Sequence, residues 1–154
     1  MDVNKVKKIS LIIGIEIIMA ITIFSIIIYV YNNYIKTKGA LIQIGSTTEE
    51  RMMGYILLTE NNEVIIIDGG NYEDGEKLQR YIEYLGGKVN YWYITHYHSD
   101  HTGAFNYIVN ETDIEIENIY HSLVAENNVK EREPIRYEHY QEYIQSINNP
   151  NIKY

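Results

Sequence analysis

Residues 95–101 read Thr-His-Tyr-His-Ser-Asp-His and hold three of the five histidines of this 154-residue chain. Residues 89–95, at whose end this stretch begins, have aromatic and β-branched side chains that predict a β-strand. Residues two apart at a strand end point to the same side, so His96 and His98 can reach one metal ion. Asp100 and His101 fall at the predicted start of a helix, whose winding turns them back toward the same pocket. The spacing therefore predicts a site for two divalent metal ions.

The sequence restricts which metals such a site can hold. The chain has no cysteine, so the ligands must be nitrogen and oxygen atoms of His, Asp and Glu. This donor set favours zinc, with manganese or iron as alternatives. Two metals about 3.5–4 Å apart can bridge a hydroxide, which provides a nucleophile without Ser or Cys. The competing interpretation is a solvated His-rich loop, but the position directly behind an apolar strand is typical of an α/β active site.

The pattern Thr95-His96-x-His98-x-Asp100-His101-x-Gly103 resembles the H-x-H-x-D-H signature of the metallo-β-lactamase superfamily. A second stretch agrees, because residues 64–70 read Val-Ile-Ile-Ile-Asp-Gly-Gly and are similar to the earlier strand of that family, which ends in Asp-Gly. Alone, the Asp-Gly pair indicates only a turn.

The resemblance implies a role for each of these residues. His96 and His98 would bind one metal, and Asp100 and His101 the other. Asp100 would also orient the attacking water, which makes it the candidate catalytic residue. Asp68 would support the metal loop from behind without binding a metal itself.

The resemblance also bounds the substrate. A membrane-linked chain with this motif looks most like the branch related to the DNA-uptake competence protein. Small-molecule ester, thioester, lactam and phosphodiester substrates are all compatible with the fold, although the absence of cysteine argues against lactamases with a Cys ligand. The net charge of −8 and pI near 5.1 do not support nucleic-acid binding by bulk electrostatics. A bound metal would still supply local positive charge for phosphate chemistry.

Residues 9–31 are almost entirely apolar and exceed the roughly 20 residues that a helix needs to cross a bilayer. The run is longer than a signal-peptide core and lacks a small-residue cleavage site, so it predicts a single-pass, uncleaved anchor. More lysines precede the run, in the tail of residues 1–8, than follow it, which favours an extracytoplasmic soluble domain. Glu16 inside the run is a contact for a partner helix or, as we favour, a lone carboxyl.

The remaining pattern predicts a linker at residues 32–39 and an α/β (α+β) domain at residues 40–154, with a sheet covered by helices. Asp74 is the expected N-cap of a helix that ends at Gly86-Gly87. The other expected elements are a strand at 40–44, a hairpin of 55–58 with 64–67, a helix at 104–109, a strand at 114–120 and a last helix at 137–147. The second hairpin strand is apolar at every position and is expected to be buried on both faces.

The family's fold is an αβ/βα sandwich of two similar halves, and the second half supplies a third His, a bridging Asp and a final His. Only His121 and His139 follow the cluster here. His121 is a strand-end surface residue or a ligand, and His139 is a surface residue of the last helix or, less favoured, a ligand. The expectation is therefore the N-terminal part of a metallo-β-lactamase-type domain, truncated before the remaining ligands, which the coding DNA past Tyr154 tests.

Two functions follow as hypotheses. The first is a membrane-anchored metal-dependent hydrolase in which two metal ions activate a water. The alternative is a catalytically incomplete membrane-anchored module that binds a partner chain through its sheet edge or through Glu16. The sequence leaves the oligomeric state open.

Overall fold

The computed structural model describes residues 3–30, 39–149 and 152. The chain divides into two compact units near residue 37. Residues 1 and 2 of the predicted tail, residue 31 of the predicted anchor, the predicted linker at 32–38 and residues 150, 151, 153 and 154 lie outside the described residues.

The first unit contains one long helix, α1 (Val3–Val30). Its segment Ile12–Val30 has a mean hydropathy of 2.5 and is long and apolar enough to cross a membrane. Glu16 lies in this segment with an exposed side chain. The prediction of an apolar N-terminal helix is confirmed, and its insertion in a membrane remains a prediction.

The strands described in the second unit are β1 (Ala40–Gln43), β2 (Gly54–Leu58), β3 (Val64–Asp68), β4 (Lys88–Val89), β5 (Tyr91–Ile94), β6 (Glu115–Ile116) and β7 (Ile119–His121). Five of them form one sheet in the order β1-β2-β3-β5-β7. The first three strands are antiparallel neighbours, and β3, β5 and β7 run parallel. A second sheet pairs β4 with β6 in parallel.

The predicted hairpin of β2 and β3 is present, with Ile56 opposite Ile66. Asn62 in the connecting turn has a φ of +63°, a conformation that Asn tolerates better than most residues. The predicted strands at 89–95 and 114–120 are each divided, because β4 and β6 leave the main sheet and pair with each other.

The helices of the second unit are α2 (Gly75–Tyr84), α3 (Ser99–Glu111), α4 (Glu126–Arg132) and α5 (Tyr137–Ile147). Gly86 and Gly87 follow α2 with φ values of +120° and +77° and stop the helix as predicted. Helix α3 begins at Ser99, which agrees with the prediction that Asp100 and His101 lie at the start of a helix, and it extends beyond the apolar residues 104–109 at both ends. The sequence did not predict α4, nor the 3-10 turns at Tyr72–Asp74 and Pro134–Arg136.

Helices α2, α3 and α5 pack on one face of the main sheet. Trp92 of β5 is fully buried there, edge-on to Phe105 of α3 with ring centroids 5.1 Å apart. Burial of such large apolar side chains is the main favourable term in folding. The same core contains Ile56, Ile66, Leu78, Ile82, Ile108 and Tyr143.

The opposite face of the sheet is open, so the prediction that β3 is buried on both faces was wrong. Ile65 and Ile67 are only half-buried, because the helices of this unit cover the other side. Tyr93 and Tyr120 stack on the open side with ring centroids 4.9 Å apart and are 42% and 49% exposed. By strand alternation and register, this open face contains Leu41, Gln43, Tyr55, Leu57, Ile65, Ile67, Tyr91, Tyr93 and Tyr120.

Asp74 precedes α2 as predicted, but its carboxylate makes no capping bond to that helix. It is fully buried and accepts hydrogen bonds from the Thr47 backbone N (2.6 Å), Thr47 Oγ1 (2.9 Å) and the Asn71 backbone N (3.0 Å). Burial alone would raise the pKa of Asp74, but these bonds lower the pKa below its ordinary value. The carboxylate therefore fixes the loop at residues 46 and 47 to the 3-10 turn.

We expect Asp74→Asn to lower the free energy of unfolding at pH 7 by about 1–3 kcal/mol, because hydrogen bonds to a charged acceptor are lost in a buried position. The folded pKa is lowered, so the contribution is full above the unfolded value near 4 and disappears as the pH falls through the folded pKa. Urea unfolding of both proteins from pH 7 to pH 2.5 measures this difference. A difference that does not shrink in acid would contradict the assignment.

Candidate metal centre

The histidine cluster extends from the loop after β5, which ends at Ile94, into the first turn of α3, which starts at Ser99. His98 is the N-cap residue, with extended backbone (φ −65°, ψ 147°). Its carbonyl accepts hydrogen bonds from the backbone N of His101 (2.9 Å) and of Thr102 (3.0 Å). The first turn of α3 therefore folds His101 back beside the loop that carries His96.

The imidazole ring of His96 contacts the rings of both other histidines in this cluster. The ring centroids of His96 and His101 are 3.9 Å apart, and those of His96 and His98 are 4.4 Å apart. Burial lowers the pKa of His96, and the neighbouring charges of His101 and His98 lower it further. The neutral form that this favours is the form in which imidazole binds metals.

The carboxylate of Asp68, at the end of β3, contacts both the loop and the helix turn that carry the cluster. Its side chain is 3% exposed, and its Oδ2 lies 2.9 Å from His101 Nδ1. Its Oδ1 accepts a hydrogen bond from the Thr95 backbone N (2.9 Å), and Thr95 Oγ1 donates to the same carboxylate. The backbone at Asp68 is left-handed, with a φ of +55°, a conformation that is unusual outside glycine and is concentrated at functional sites.

Glu133 also contacts the cluster, which the sequence did not predict. His98 Nε2 donates to Glu133 Oε2 over 2.9 Å, and Arg136 Nε lies 3.5 Å from the same oxygen. The hydrogen bond from His98 lowers the pKa of Glu133 below its ordinary value. Glu133 lies between α4 and a 3-10 turn, in a segment where no sequence pattern connects it to the motif.

The imidazole nitrogens of the cluster are of a kind that binds divalent metals. One nitrogen of each ring is engaged by an oxygen: His96 Nδ1 by Thr95 Oγ1, His98 Nε2 by Glu133 and His101 Nδ1 by Asp68. Metal-binding histidines typically engage their second nitrogen in this way. The nitrogens left for a metal are then His96 Nε2, His98 Nδ1 and His101 Nε2.

The structure brings the predicted metal residues together without arranging them as a finished ligand set. Asp100 Oδ2 lies 3.7 Å from His101 Nε2. Within residues 3–30, 39–149 and 152, no three His, Asp or Glu side chains are grouped so that they could hold one ion. The assignment of His96 and His98 to one metal and of Asp100 and His101 to the other stays a prediction.

Close packing explains why residue 103, at the end of the motif, is a glycine. A Cβ atom there would lie 2.3 Å from the Tyr72 backbone N and 2.5 Å from the Asn71 carbonyl carbon. The backbone N of Ala104 donates to the Gly70 carbonyl over 3.0 Å beside it. Only glycine lets α3 approach the 3-10 turn so closely, and this approach places Asp100 and His101 next to the end of β3.

The two later histidines lie outside the cluster. His121 ends β7 as expected and is partly exposed, with its ring 6.0 Å from the ring of Tyr143 by their centroids. Burial lowers the pKa of His121. His139 is on α5 with its side chain 45% exposed and its Nδ1 3.6 Å from Glu142. In the described part of the chain, neither ring contacts His96, His98 or His101.

Similarity to known proteins is found at the level of the family. The family model described as the metallo-beta-lactamase superfamily matches residues 55–149, a stretch that includes the whole cluster and Asp68. A crystal structure of the metallo-beta-lactamase SMB-1 bound to 2-mercaptoethanesulfonate is 21% identical, with a TM-score of 0.37. That match covers 53% of this chain and 30% of the other. A comparison with curated proteins finds no match.

Glu133 predicts a tautomer that can be measured. Since a carboxylate only accepts hydrogen bonds, His98 should carry its proton on Nε2 in the metal-free protein. We expect Glu133→Ala to remove this preference and to weaken divalent metal binding by about 10- to 100-fold. Long-range ¹H–¹⁵N spectra of the imidazoles and zinc titrations measure the two effects. Glu131→Ala on the exposed side of α4 is the matched control, and equal spectra and affinities in both variants would exclude this role.

Proposed function

The chain belongs to the metallo-beta-lactamase superfamily, and from this membership we propose that it is a membrane-anchored, metal-dependent hydrolase. The observation that carries the proposal is the cluster of three contacting imidazoles, which Asp68 and Glu133 hold from outside. Protonated imidazoles at these distances would repel one another, so the cluster contributes little to stability. Its value is as a set of neutral nitrogen ligands.

The ligands in this proposal are His96, His98, Asp100 and His101, for two divalent ions, with zinc favoured over manganese or iron. When bound, the metals would activate a water and polarise the bond that is cleaved. Asp100, 32% exposed at its side chain, would orient that water by accepting a hydrogen bond at its carboxylate. Asp68 fixes His101 by its contact with Nδ1, so that Nε2 faces the site.

We further propose that the remaining ligands come from polypeptide outside the described residues, since His121 and His139 lie apart from the cluster. The substrate class is a small-molecule ester or a phosphodiester, and the resemblance to the competence-related branch slightly favours the phosphodiester. Helix α1 would anchor the protein with its second unit outside the cytoplasm. The negative net charge does not favour nucleic acid as a substrate.

Metal content tests the proposal directly. We expect His98→Ala to lower zinc affinity at least about tenfold, because a direct ligand matters at least as much as the groups that orient it. His139→Ala is the matched control, since that exposed histidine lies outside the cluster. Inductively coupled plasma mass spectrometry of the full chain in detergent after dialysis against zinc measures the bound metal. Wild-type protein without metal above background, or equal loss in both variants, would overturn the proposal.

A second candidate function is an incomplete module that binds a partner chain, and the open face of the sheet favours it. The nine residues of that face include eight apolar or aromatic side chains and none with a charge. Large uncharged surfaces of this kind mark interaction sites. A polypeptide that packs there would bury apolar area without leaving a charge unpaired.

For this second function, we expect the chain to bind metal, hydrolyse neither nitrophenyl esters nor bis-nitrophenyl phosphate, and form an assembly in detergent. Tyr93→Asp on the open face should dissociate the assembly because it buries a charge in the interface. Tyr84→Asp is the control, since Tyr84 is 88% exposed at the end of α2. Sedimentation velocity measures the assembly, and turnover by a monomeric chain would rule this function out.

A further inference from the structure

The hydroxyl of Thr95 lies at the centre of the contacts between Asp68 and the histidine cluster. Its Oγ1 is 3.0 Å from each oxygen of the Asp68 carboxylate and 3.1 Å from His96 Nδ1. His101 Nδ1 is closer to Asp68 Oδ2, at 2.9 Å, than to Thr95 Oγ1, at 3.3 Å. His101 therefore binds the carboxylate directly, whereas the hydroxyl of Thr95 connects the same carboxylate to His96.

The hydroxyl has a single proton to donate, and Asp68 and His96 both offer acceptor atoms to it. The Asp68 side chain is 3% exposed, and hydrogen bonds to a charged acceptor are stronger than those between neutral groups. If the hydroxyl donated to His96 instead, its lone pairs would face two carboxylate oxygens at 3.0 Å with no proton between them. The proton of the hydroxyl therefore belongs to the hydrogen bond with Asp68.

The direction of this bond decides the tautomer of His96. With its proton directed to Asp68, Thr95 Oγ1 acts as an acceptor toward His96, so His96 Nδ1 must carry a proton and donate it. The Nε2 atom of the neutral ring then keeps a free lone pair, which is the form in which an imidazole nitrogen binds a metal.

We propose that Thr95 is a positioning residue of the metal centre, whose hydroxyl connects Asp68 to His96 and fixes that ring as the Nδ1–H tautomer. This role rests on the metal-binding function proposed above and adds one residue to it. A single carboxylate then orients two of the predicted ligands, His101 by direct contact and His96 through the hydroxyl. Groups that orient metal ligands in this way typically change metal affinity by about 10- to 100-fold.

Two substitutions separate the hydroxyl from the rest of residue 95. Thr95→Val removes the hydroxyl, keeps the β-branched shape and leaves the backbone N of this residue, which donates to Asp68 Oδ1 over 2.9 Å. Residue 95 is exposed, so the change leaves no cavity in the core. Thr95→Ser keeps the hydroxyl and is the matched control.

Long-range ¹H–¹⁵N spectra of the full chain in detergent with EDTA, at a pH where the imidazoles are neutral, identify the tautomer of each histidine. We expect the Nδ1–H tautomer for His96 in the wild type and in Thr95→Ser, and loss of this preference in Thr95→Val. His101 should keep its proton on Nδ1 in all three proteins, because Asp68 contacts it directly. A wild-type His96 with its proton on Nε2, an unchanged His96 in Thr95→Val, or a change of both rings together would overturn the proposal.

Zinc titrations of the same proteins measure the effect on the metal centre. We expect Thr95→Val to weaken zinc binding by about tenfold or more, and Thr95→Ser to bind zinc like the wild type. Equal zinc affinity in the wild type and in Thr95→Val would refute the positioning role. Failure of the wild type to bind zinc would refute the metal-binding function instead, whereas the spectra of the metal-free protein still decide whether Thr95 fixes His96.

Discussion

The carboxylate of Asp68 connects the sheet to the histidine cluster, and the rest of the site depends on it. One oxygen accepts a bond from the Thr95 backbone N, and the other contacts His101 Nδ1. These contacts tie the end of β3 to the loop after β5 and to the first turn of α3. The left-handed backbone at Asp68 costs conformational energy, which the surrounding packing sustains. Trp92 contributes to this packing by donating its indole N–H to the Asp68 carbonyl over 2.8 Å.

The fold places this connection where parallel strands end side by side. Strands β3 and β5 run parallel, so the chain leaves both at the same edge of the sheet. The close contact of Gly103 with the 3-10 turn then brings α3 against that edge. A side chain at residue 103 would displace the first turn of the helix and with it Asp100 and His101. The glycine of the motif is thus a packing requirement of the site, not a chemical participant.

The sheet is covered on one side only, which links its architecture to the two candidate functions. Helices α2, α3 and α5 bury Trp92 and its neighbours, whereas the aromatic and aliphatic residues of the open face remain accessible. The four predicted ligands also approach the metal centre from one side, because all of them come from the loop after β5 and the first turn of α3. Glu133 contacts His98 from outside this local segment and the β3 strand. Further polypeptide on the open side would complete a second layer over the sheet.

The sequence by itself determined the parts that depend on local pattern. Alternation and apolar runs located the β2–β3 hairpin, the glycine pair stopped α2, and the spacing of His96, His98, Asp100 and His101 located the cluster. Tertiary structure alone decided the contacts between distant segments. It directed the Asp74 carboxylate to the loop at Thr47 instead of to the helix, and it brought Glu133 to His98. The physical reason is that local pattern fixes which side chains share a strand or helix face, whereas the partner across a contact is chosen only when separate elements pack together.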